Sequence, residues 1–184
     1  MKRKFAKIVI SVFFGFLIFG CQKREQDSKW TKLPSPISAQ IRSFAESSDG
    51  TLYAGTSELY KSIDRGDTWE LMDFKHMPLE VMETQDGTLL VGTYRDGIFR
   101  SIDKGETWTN VGFEKNVYIF KIIQTSNGRI FASATFLSTS ASEDDRSGVF
   151  MSENDGLSWK QTSITTESIK GVFNPKDGFL FAYG

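Results

Sequence analysis

Short runs rich in apolar residues, each about four to six residues long, follow one another along the chain and are bounded by Gly or Asp. The first cycle consists of the runs 41–46, 51–56, 59–63 and 68–72, with a Ser-Asp-Gly turn at 48–50. Runs of this length between turn residues are typical of β-strands. The cycle therefore predicts four short strands joined by tight turns.

The same cycle recurs three more times. The second comprises 79–84, 88–93, 97–102 and 107–111; the third comprises 118–125, 129–135 and 149–152, with a polar insertion at 136–147; the fourth contains 169–173 and 177–184. Repeats near 40 residues predict a modular fold. We expect an all-β propeller of four-stranded antiparallel blades, of which about three and a half are present, so that the chain is a truncated part of a larger ring.

An octad that ends in tryptophan stands between the third and fourth run of each complete cycle. The octads are Ser62 to Trp69, Ser101 to Trp108 and Ser152 to Trp159. Trp69 and Trp108 are 39 residues apart, Trp159 follows 51 residues later, and Trp30 precedes Trp69 by 39. The spacing places one tryptophan at the start of each outermost strand.

The residue types of the octad predict a stapled turn. Asp or Asn can accept backbone N–H bonds, Gly can supply a positive φ, and Ser and Thr hydroxyls can bond across the turn. We expect the tryptophan ring to pack between neighbouring sheets. A calcium site is the alternative for Asp64, Asp103 and Asp155, but Arg65 and Lys104 stand inside their turns and no distal carboxylate completes a cation loop.

The octads resemble the Asp-box, or BNR repeat, of sialidases, Vps10/sortilin receptors and xyloglucanases. The resemblance covers residues 30–184 and implies a β-propeller, but the box occurs in enzymes and in non-enzymes. It implies a structural role for fifteen residues: Ser62, Asp64, Gly66, Thr68, Trp69, Ser101, Asp103, Gly105, Thr107, Trp108, Ser152, Asn154, Gly156, Ser158 and Trp159.

The N-terminus has the pattern of an export signal. Four basic residues up to Lys7 precede the apolar run 8–19, which is too short to span a bilayer comfortably, and Gly20 and Cys21 follow. The segment 17–21 resembles a bacterial lipobox, which implies acylation of Cys21, the only cysteine. The alternative is a cysteine that happens to end an apolar run. We expect a lipoprotein signal peptide at 1–20, a tether at 21–29 and the partial propeller at 30–184.

Lipidation would hold the mature protein on a membrane surface through its lipid anchor. In lipoprotein families a residue such as Gln22 after the cysteine, in place of Asp, permits transport to the outer membrane. We therefore expect a location in the cell envelope, at the outer membrane. The net charge of −1 gives no indication of nucleic acid binding, and no cofactor or metal is expected.

Ligand binding is expected on the face opposite the octads, where the loops between blades and the second turn of each blade lie. Tyr94, Arg95 and Asp96 are the best candidates, because they combine an aromatic platform with both signs of charge. The alternative is a solvated hairpin tip. The charge run 143–146 is interpreted as solvated and His76, the single histidine, as a surface residue. The ligand is expected to be a glycan or a protein, and the open edge of a partial ring could also pair with a second copy.

An enzymatic function is the alternative to binding. The resemblance implies a glycoside hydrolase of exo-sialidase or xyloglucanase type, and sialidases of this fold use three arginines, a tyrosine with a glutamate, and an Arg-Ile-Pro signature. Here 41–43 reads Ile-Arg-Ser without the proline, and the arginines follow no such pattern. No catalytic residue is assigned, and we expect a binding or scaffold module rather than an enzyme.

Overall fold

The computed structural model describes residues 40–113, 116–137, 147–165, 168–174 and 179–184. The predicted signal peptide, Cys21, the tether, Trp30 and the charge run 143–146 lie outside the described residues. Within these ranges every regular element is a β-strand, and they contain no helix long and apolar enough to cross a bilayer.

The strands form three blades of four antiparallel strands and one hairpin. Blade 1 consists of β1 (Ser43–Glu46), β2 (Leu52–Gly55), β3 (Leu59–Ser62) and β4 (Glu70–Leu71). Blade 2 consists of β5 (Pro78–Glu83), β6 (Leu89–Arg95), β7 (Ile98–Ser101) and β8 (Thr109–Gly112). Blade 3 consists of β9 (Val117–Gln124), β10 (Ile130–Phe136), β11 (Gly148–Ser152) and β12 (Lys160–Thr165), and the hairpin of β13 (Gly171–Phe173) and β14 (Phe181–Tyr183).

This architecture confirms the predicted fold class, a partial propeller of four-stranded antiparallel blades. In each blade neighbouring strands in sequence are neighbours in the sheet, and every pairing is antiparallel. The strand bounds lie within about two residues of the predicted runs for blades 1 and 2. The Asp-Gly turns and the octads fall at one end of each blade, because they join strands one to two and three to four.

The hydrophobic core lies between consecutive blades, because each blade is apolar on both faces. Tyr53 and Leu59 of blade 1 pack with Val81, Val91 and Phe99 of blade 2. Two further clusters lie between blades 2 and 3 and between blade 3 and the hairpin. A strand that is buried on both faces has apolar residues at successive positions, which explains the apolar run 89–91 in β6.

Blades 2 and 3 are joined by backbone pairing as well as by packing. The far end of β6 passes beyond β5 and pairs with the start of β9, with Tyr94 opposite Tyr118 and Arg95 opposite Val117. This pairing makes one eight-stranded sheet of blades 2 and 3, whereas blade 1 is a separate four-stranded sheet. The join lies on the face that carries the loops between blades.

Candidate functional site

The first two octads are turns closed by their own side chains. In the octad of blade 1, Asp64 accepts hydrogen bonds from the Ser62 hydroxyl (2.8 Å), the Thr68 amide (2.8 Å) and the Thr68 hydroxyl (2.6 Å). The Gly66 amide donates to Ser62 Oγ at 2.8 Å. The octad of blade 2 has the same four bonds, with Asp103 as the acceptor for Ser101 and Thr107.

The hydrogen bonds hold the carboxylates of both octads in their charged form. The Thr68 hydroxyl and amide and the Ser62 hydroxyl lower the pKa of Asp64 to about 2. The Thr107 and Ser101 hydroxyls and the Thr107 amide lower the pKa of Asp103 to about 2 as well. Bonding to the charged form favours that form, so these carboxylates stay ionised at all ordinary pH values.

The third octad keeps the geometry with different chemistry. Asn154 Oδ1 accepts from the Ser152 hydroxyl at 3.0 Å and from the Ser158 amide at 3.0 Å. Asn154 Nδ2 donates to Ser158 Oγ at 2.9 Å, so the hydroxyl that donates in the first two octads accepts here. The turn therefore depends on the acceptor oxygen and not on a negative charge.

Each octad places a non-glycine residue in the left-handed region just before its glycine. Arg65, Lys104 and Asp155 have φ values of 62°, 59° and 55°, and the glycines that follow have φ values of 92°, 87° and 79°. Lys104 forms an ion pair with Asp49 in the Asp-Gly turn of blade 1. This residue of the octad thus reaches the preceding blade.

Asp155 makes the corresponding contact between blades 3 and 2. Its Oδ2 lies 2.7 Å from Arg100 Nη2, and Arg100 Nε donates to the Asp155 carbonyl at 3.0 Å. The Thr88 hydroxyl donates to the same carboxylate oxygen. Burial raises the pKa of Asp155, but the bonds from Thr88, Thr84 and Arg100 outweigh it and the pKa is lowered. In this structure Asp155 therefore holds blades 2 and 3 together through Arg100.

The tryptophans of the second and third octads pack against the preceding blade and the loop that follows it. Trp108 contacts Phe74, with ring centroids 4.9 Å apart, and Trp159 contacts Phe113 at 6.2 Å. A Cβ on Gly105 would come within 2.1 Å of Met72 in blade 1. The octad glycines and tryptophans therefore form the contact surface between blades.

The candidate ligand residues lie where β6 meets β9. The Tyr94 and Tyr118 rings stack with centroids 4.6 Å apart and an interplanar angle of 27°, and their hydroxyls are 3.1 Å apart. The Arg95 guanidinium carbon lies 5.4 Å from the centre of the Tyr94 ring. Phe120 extends the row, with its ring 5.6 Å from Tyr118. We call these four residues the aromatic–arginine surface.

Electrostatics couple three groups of this surface. The Tyr94 hydroxyl and the Arg95 guanidinium lower the pKa of the Tyr118 phenol, and Tyr118 raises the pKa of Tyr94 and of Arg95. The Arg95 backbone has φ of 89°, a region that L-residues seldom adopt. The guanidinium is therefore held beside two phenols at an exposed position by a backbone conformation that costs free energy.

The Asp96 side chain pairs with His76 and does not join Tyr94 and Arg95, with which it was predicted to form a ligand site. The Asp96 carboxylate lies 3.1 Å from His76 Nδ1, and its amide donates to Thr93 Oγ1 at 3.0 Å. The His76 ring stacks on Phe99 at 4.1 Å and is half-buried. His76 lies in the loop that joins blades 1 and 2, as expected, and its side chain remains 33% exposed.

A buried ion pair joins the first strands of the three blades. Glu80 of β5 is 7% exposed, and its carboxylate accepts from Lys121 Nζ of β9 at 2.6 Å and from the Ser43 hydroxyl of β1 at 3.0 Å. Burial raises the pKa of Glu80, although Lys121 and Ser43 act in the opposite direction. The register shifts in β5 and β9 directly before these two residues, and such bulges re-aim side chains.

Sequence reasoning missed Tyr118, Phe120 and the Glu80–Lys121 pair. The residues Ser43, Glu80 and Lys121 each stand four positions before the Ser or Thr that precedes a turn, so repeat alignment could have brought them together. In the described ranges no group of three His, Cys, Asp or Glu side chains gathers as metal ligands would.

The fold and these contacts define the class, a β-propeller of short antiparallel blades. No family model matches the chain, and no curated protein matches it. Among solved structures the chain is similar to YCF48 from Cyanidioschyzon merolae, with a TM-score of 0.60, 18% identity, and coverage of 83% of this chain and 52% of that one.

Two further solved structures share the fold. YCF48 bound to D1 peptide has a TM-score of 0.53 and 15% identity, over 78% of this chain and 46% of that chain. The GH74 xyloglucanase from Xanthomonas campestris has a TM-score of 0.54 and 19% identity, over 72% of this chain and 25% of the enzyme. The chain spans about half the length of the YCF48 structures, and likeness at this identity concerns the fold alone.

Proposed function

We propose that the chain is a binding or scaffold module of the cell envelope, and that the aromatic–arginine surface receives its ligand. One observation carries the proposal: an exposed guanidinium is fixed beside a stacked pair of tyrosines where two blades join. Tyrosine and arginine are the residue types that dominate binding hot spots. The ligand would be a glycan, stacked on the rings, or a protein segment.

Backbone strain supports a role for Arg95. Arg65, Lys104 and Asp155 also have positive φ, but they lie in octad turns, and Phe113 and Asn116 have positive φ between blades 2 and 3. Arg95 has the highest φ of these six residues, 89°, and is the last residue of β6 before the turn to β7. A non-glycine residue that is kept in such a conformation outside a repeated turn favours a functional position.

A binding assay on glycan and peptide arrays would test the proposal with the full chain in mild detergent. We expect Arg95→Ala and Tyr118→Ala each to lower binding at least tenfold. Arg65→Ala is the matched control, because Arg65 is also an exposed arginine at positive φ and lies at an octad. Equal loss in all three variants, or none in any, would contradict the proposed surface.

The membrane anchor is a separate part of the proposal. Acylation at Cys21 would display the propeller on the envelope, at the outer membrane, and the polar segment 22–29 would serve as a tether. Metabolic labelling with a radioactive fatty acid tests this. We expect label in the wild-type chain and none in Cys21→Ser; label that persists in the variant would exclude acylation at this residue.

A glycoside hydrolase of exo-sialidase or xyloglucanase type is the alternative function. Two carboxylates near the blade joins have partners within the chain, Glu80 with Lys121 and Asp96 with His76. Hydrolysis of xyloglucan or of a fluorogenic sialoside by the purified chain, abolished in Arg95→Ala, would replace the binding proposal by the enzymatic one.

A further inference from the structure

Tyr94 of β6 and Tyr118 of β9 stand directly opposite each other in the strand pair that joins blades 2 and 3. Side chains at opposite positions of an antiparallel pair lie on the same face and close together. Here the two rings are nearly parallel, at 27°, with centroids 4.6 Å apart, whereas their hydroxyl oxygens are 3.1 Å apart. The rings therefore converge towards the edges that carry the hydroxyls, where the Cε atoms also lie.

This tyrosine pair is also open to solvent. The chain has five tyrosines, and all of them lie in the described ranges. Tyr53 and Tyr60 are 1% and 9% exposed, whereas Tyr94 is 38% exposed and Tyr118 is partly exposed beside it. Tyr183 is 63% exposed, but among the described residues its ring contacts no second tyrosine. A reagent in solution therefore meets one exposed pair and one exposed single tyrosine.

The groups around the Tyr118 hydroxyl favour the loss of an electron from this ring. The Tyr94 hydroxyl and the Arg95 guanidinium lower the pKa of the Tyr118 phenol, because both interact with its charged form. A phenolate gives up an electron more readily than a phenol does. A radical formed on Tyr118 would then already be in contact with the ring of Tyr94, its partner for a coupling reaction.

We propose that Tyr94 and Tyr118 are a modification site, at which oxidation by hydrogen peroxide and a haem peroxidase joins the two rings as dityrosine. Each phenol loses one electron and its hydroxyl proton and becomes a phenoxyl radical. The two radicals couple through a new bond between one Cε atom of each ring. The hydrogen on each of these carbons then moves as a proton to its phenol oxygen, which restores both rings. The peroxide takes up the two electrons and two protons and is reduced to two water molecules.

The new bond would connect β6 to β9 and hence blade 2 to blade 3. A covalent link between two distant positions of a chain stabilises the fold mainly because it restricts the unfolded chain. Both tyrosines also belong to the aromatic–arginine surface, so the modification would fix the relative position of two of its rings. The coupling itself needs no ligand, and its test is therefore independent of the binding assay above.

Treatment of the complete chain in mild detergent with a haem peroxidase and hydrogen peroxide tests the proposal. We expect dityrosine fluorescence, a monomer on a denaturing gel, and a joined pair of tryptic peptides, 76–95 and 116–121, that has lost two hydrogen atoms. Tyr94→Phe and Tyr118→Phe each keep the ring but lose the hydroxyl, and both should abolish the joined peptide pair. Tyr183→Phe is the matched control, because it removes an exposed tyrosine outside the pair; it should leave the yield unchanged.

Three results would overturn the proposal. These are the absence of dityrosine in the wild type when free tyrosine is converted under the same conditions, dityrosine that persists in Tyr94→Phe or Tyr118→Phe, and dityrosine found only in dimers of the chain. Thermal unfolding provides a second measurement. The unfolding midpoint of the oxidised wild type should rise above that of the untreated chain, and Tyr118→Phe treated in the same way should show no rise; equal midpoints for the two oxidised proteins would be contrary to a link between blades.

Discussion

Glu80 in β5 and Lys121 in β9 form an ion pair across the join between blades 2 and 3, with 2.6 Å between Lys121 Nζ and Glu80 Oε1. The carboxylate is buried, whereas the lysine side chain is about half exposed. A charge that loses its partner in a buried position is costly, and the cost falls when solvent can reach it.

We therefore expect Lys121→Met to destabilise the chain by about 2–3 kcal/mol at pH 7. The Glu80→Gln/Lys121→Met double variant should recover more than half of the loss, because no charge is then buried alone. Urea unfolding of the wild type, Lys121→Met and the double variant measures the difference. A double variant less stable than Lys121→Met would show that the pair contributes by packing alone.

The raised pKa of Glu80 gives this site a pH dependence of its own. A raised folded-state pKa means that the contribution of Glu80 is fully present below its unfolded pKa of about 4.3 and is lost as pH rises through the folded value. Lys121 lowers the folded-state pKa of Glu80, so Lys121→Met should raise this pKa further. The pH range between the unfolded and the folded pKa of Glu80, over which the contribution is lost, should then become wider. Urea unfolding midpoints measured from pH 4 to 8 for Lys121→Met and for Glu80→Gln test this. The part of the pH dependence that is due to Glu80 should be absent in Glu80→Gln.

Acid should destabilise the first two octads. Asp64 and Asp103 have folded pKa values of about 2, below the unfolded value of about 3.9, so their contribution is present above pH 4 and is lost as pH falls towards 2. The Asp64→Asn/Asp103→Asn variant should lose less stability over that range, since Asn154 already supports the third octad. Acid unfolding followed by circular dichroism compares the two; parallel curves would be contrary to this account.

Arg100 and Lys104 both form ion pairs between blades, but with different burial. The side chains of Arg100 and Asp155 are 17% and 21% exposed, and those of Lys104 and Asp49 are 67% and 41% exposed. Arg100→Met should cost about 2 kcal/mol, because it leaves a partly buried carboxylate without its cationic partner and the Asp155 carbonyl without its side-chain donor. Lys104→Met should have no measurable effect, as is usual for exposed pairs. Urea unfolding of both variants tests the contrast.

Gly97 shapes the turn that carries Arg95, and Gly50 provides a matched comparison. Both have positive φ, 79° and 86°, but a Cβ on Gly97 would lie 2.0 Å from the Phe113 carbonyl oxygen, whereas a Cβ on Gly50 meets nothing within 4 Å. We expect Gly50→Ala to cost about 1 kcal/mol from the backbone alone and Gly97→Ala about 3–4 kcal/mol. Thermal unfolding measures the loss of stability in both variants. Equal losses would show that the Phe113 carbonyl does not crowd a Cβ at position 97.

The indole ring of Trp108 should matter for its volume and not for its N–H group. Its Nε1 is buried and meets no acceptor in the described residues. Trp108→Ala should cost about 3 kcal/mol through the cavity it leaves against Phe74, and Trp108→Phe about 1 kcal/mol. Urea unfolding of the two variants decides this; a phenylalanine variant as unstable as the alanine variant would point to a hydrogen bond at Nε1.

Local chemistry in the sequence was sufficient for the repeating elements. Turn residues and short apolar runs predicted the strands, and a tryptophan interval of 39 residues predicted the blades, because both signals depend on neighbours in the chain. Tyr94 and Arg95 could be chosen as candidates by residue type alone. Their relationship to Tyr118 could not, because it arises where β6 pairs with a strand of the next blade.

Contacts between blades were decided only by the tertiary structure. Asp96 turns to His76 instead of Arg95, and Glu80 meets Lys121 and Ser43, each more than 35 residues away. A blade's own residues fix its strands through short-range turns and alternation. Which residues face one another across two blades depends on strand register, bulges and the packing of whole sheets, and no single segment of sequence contains that information.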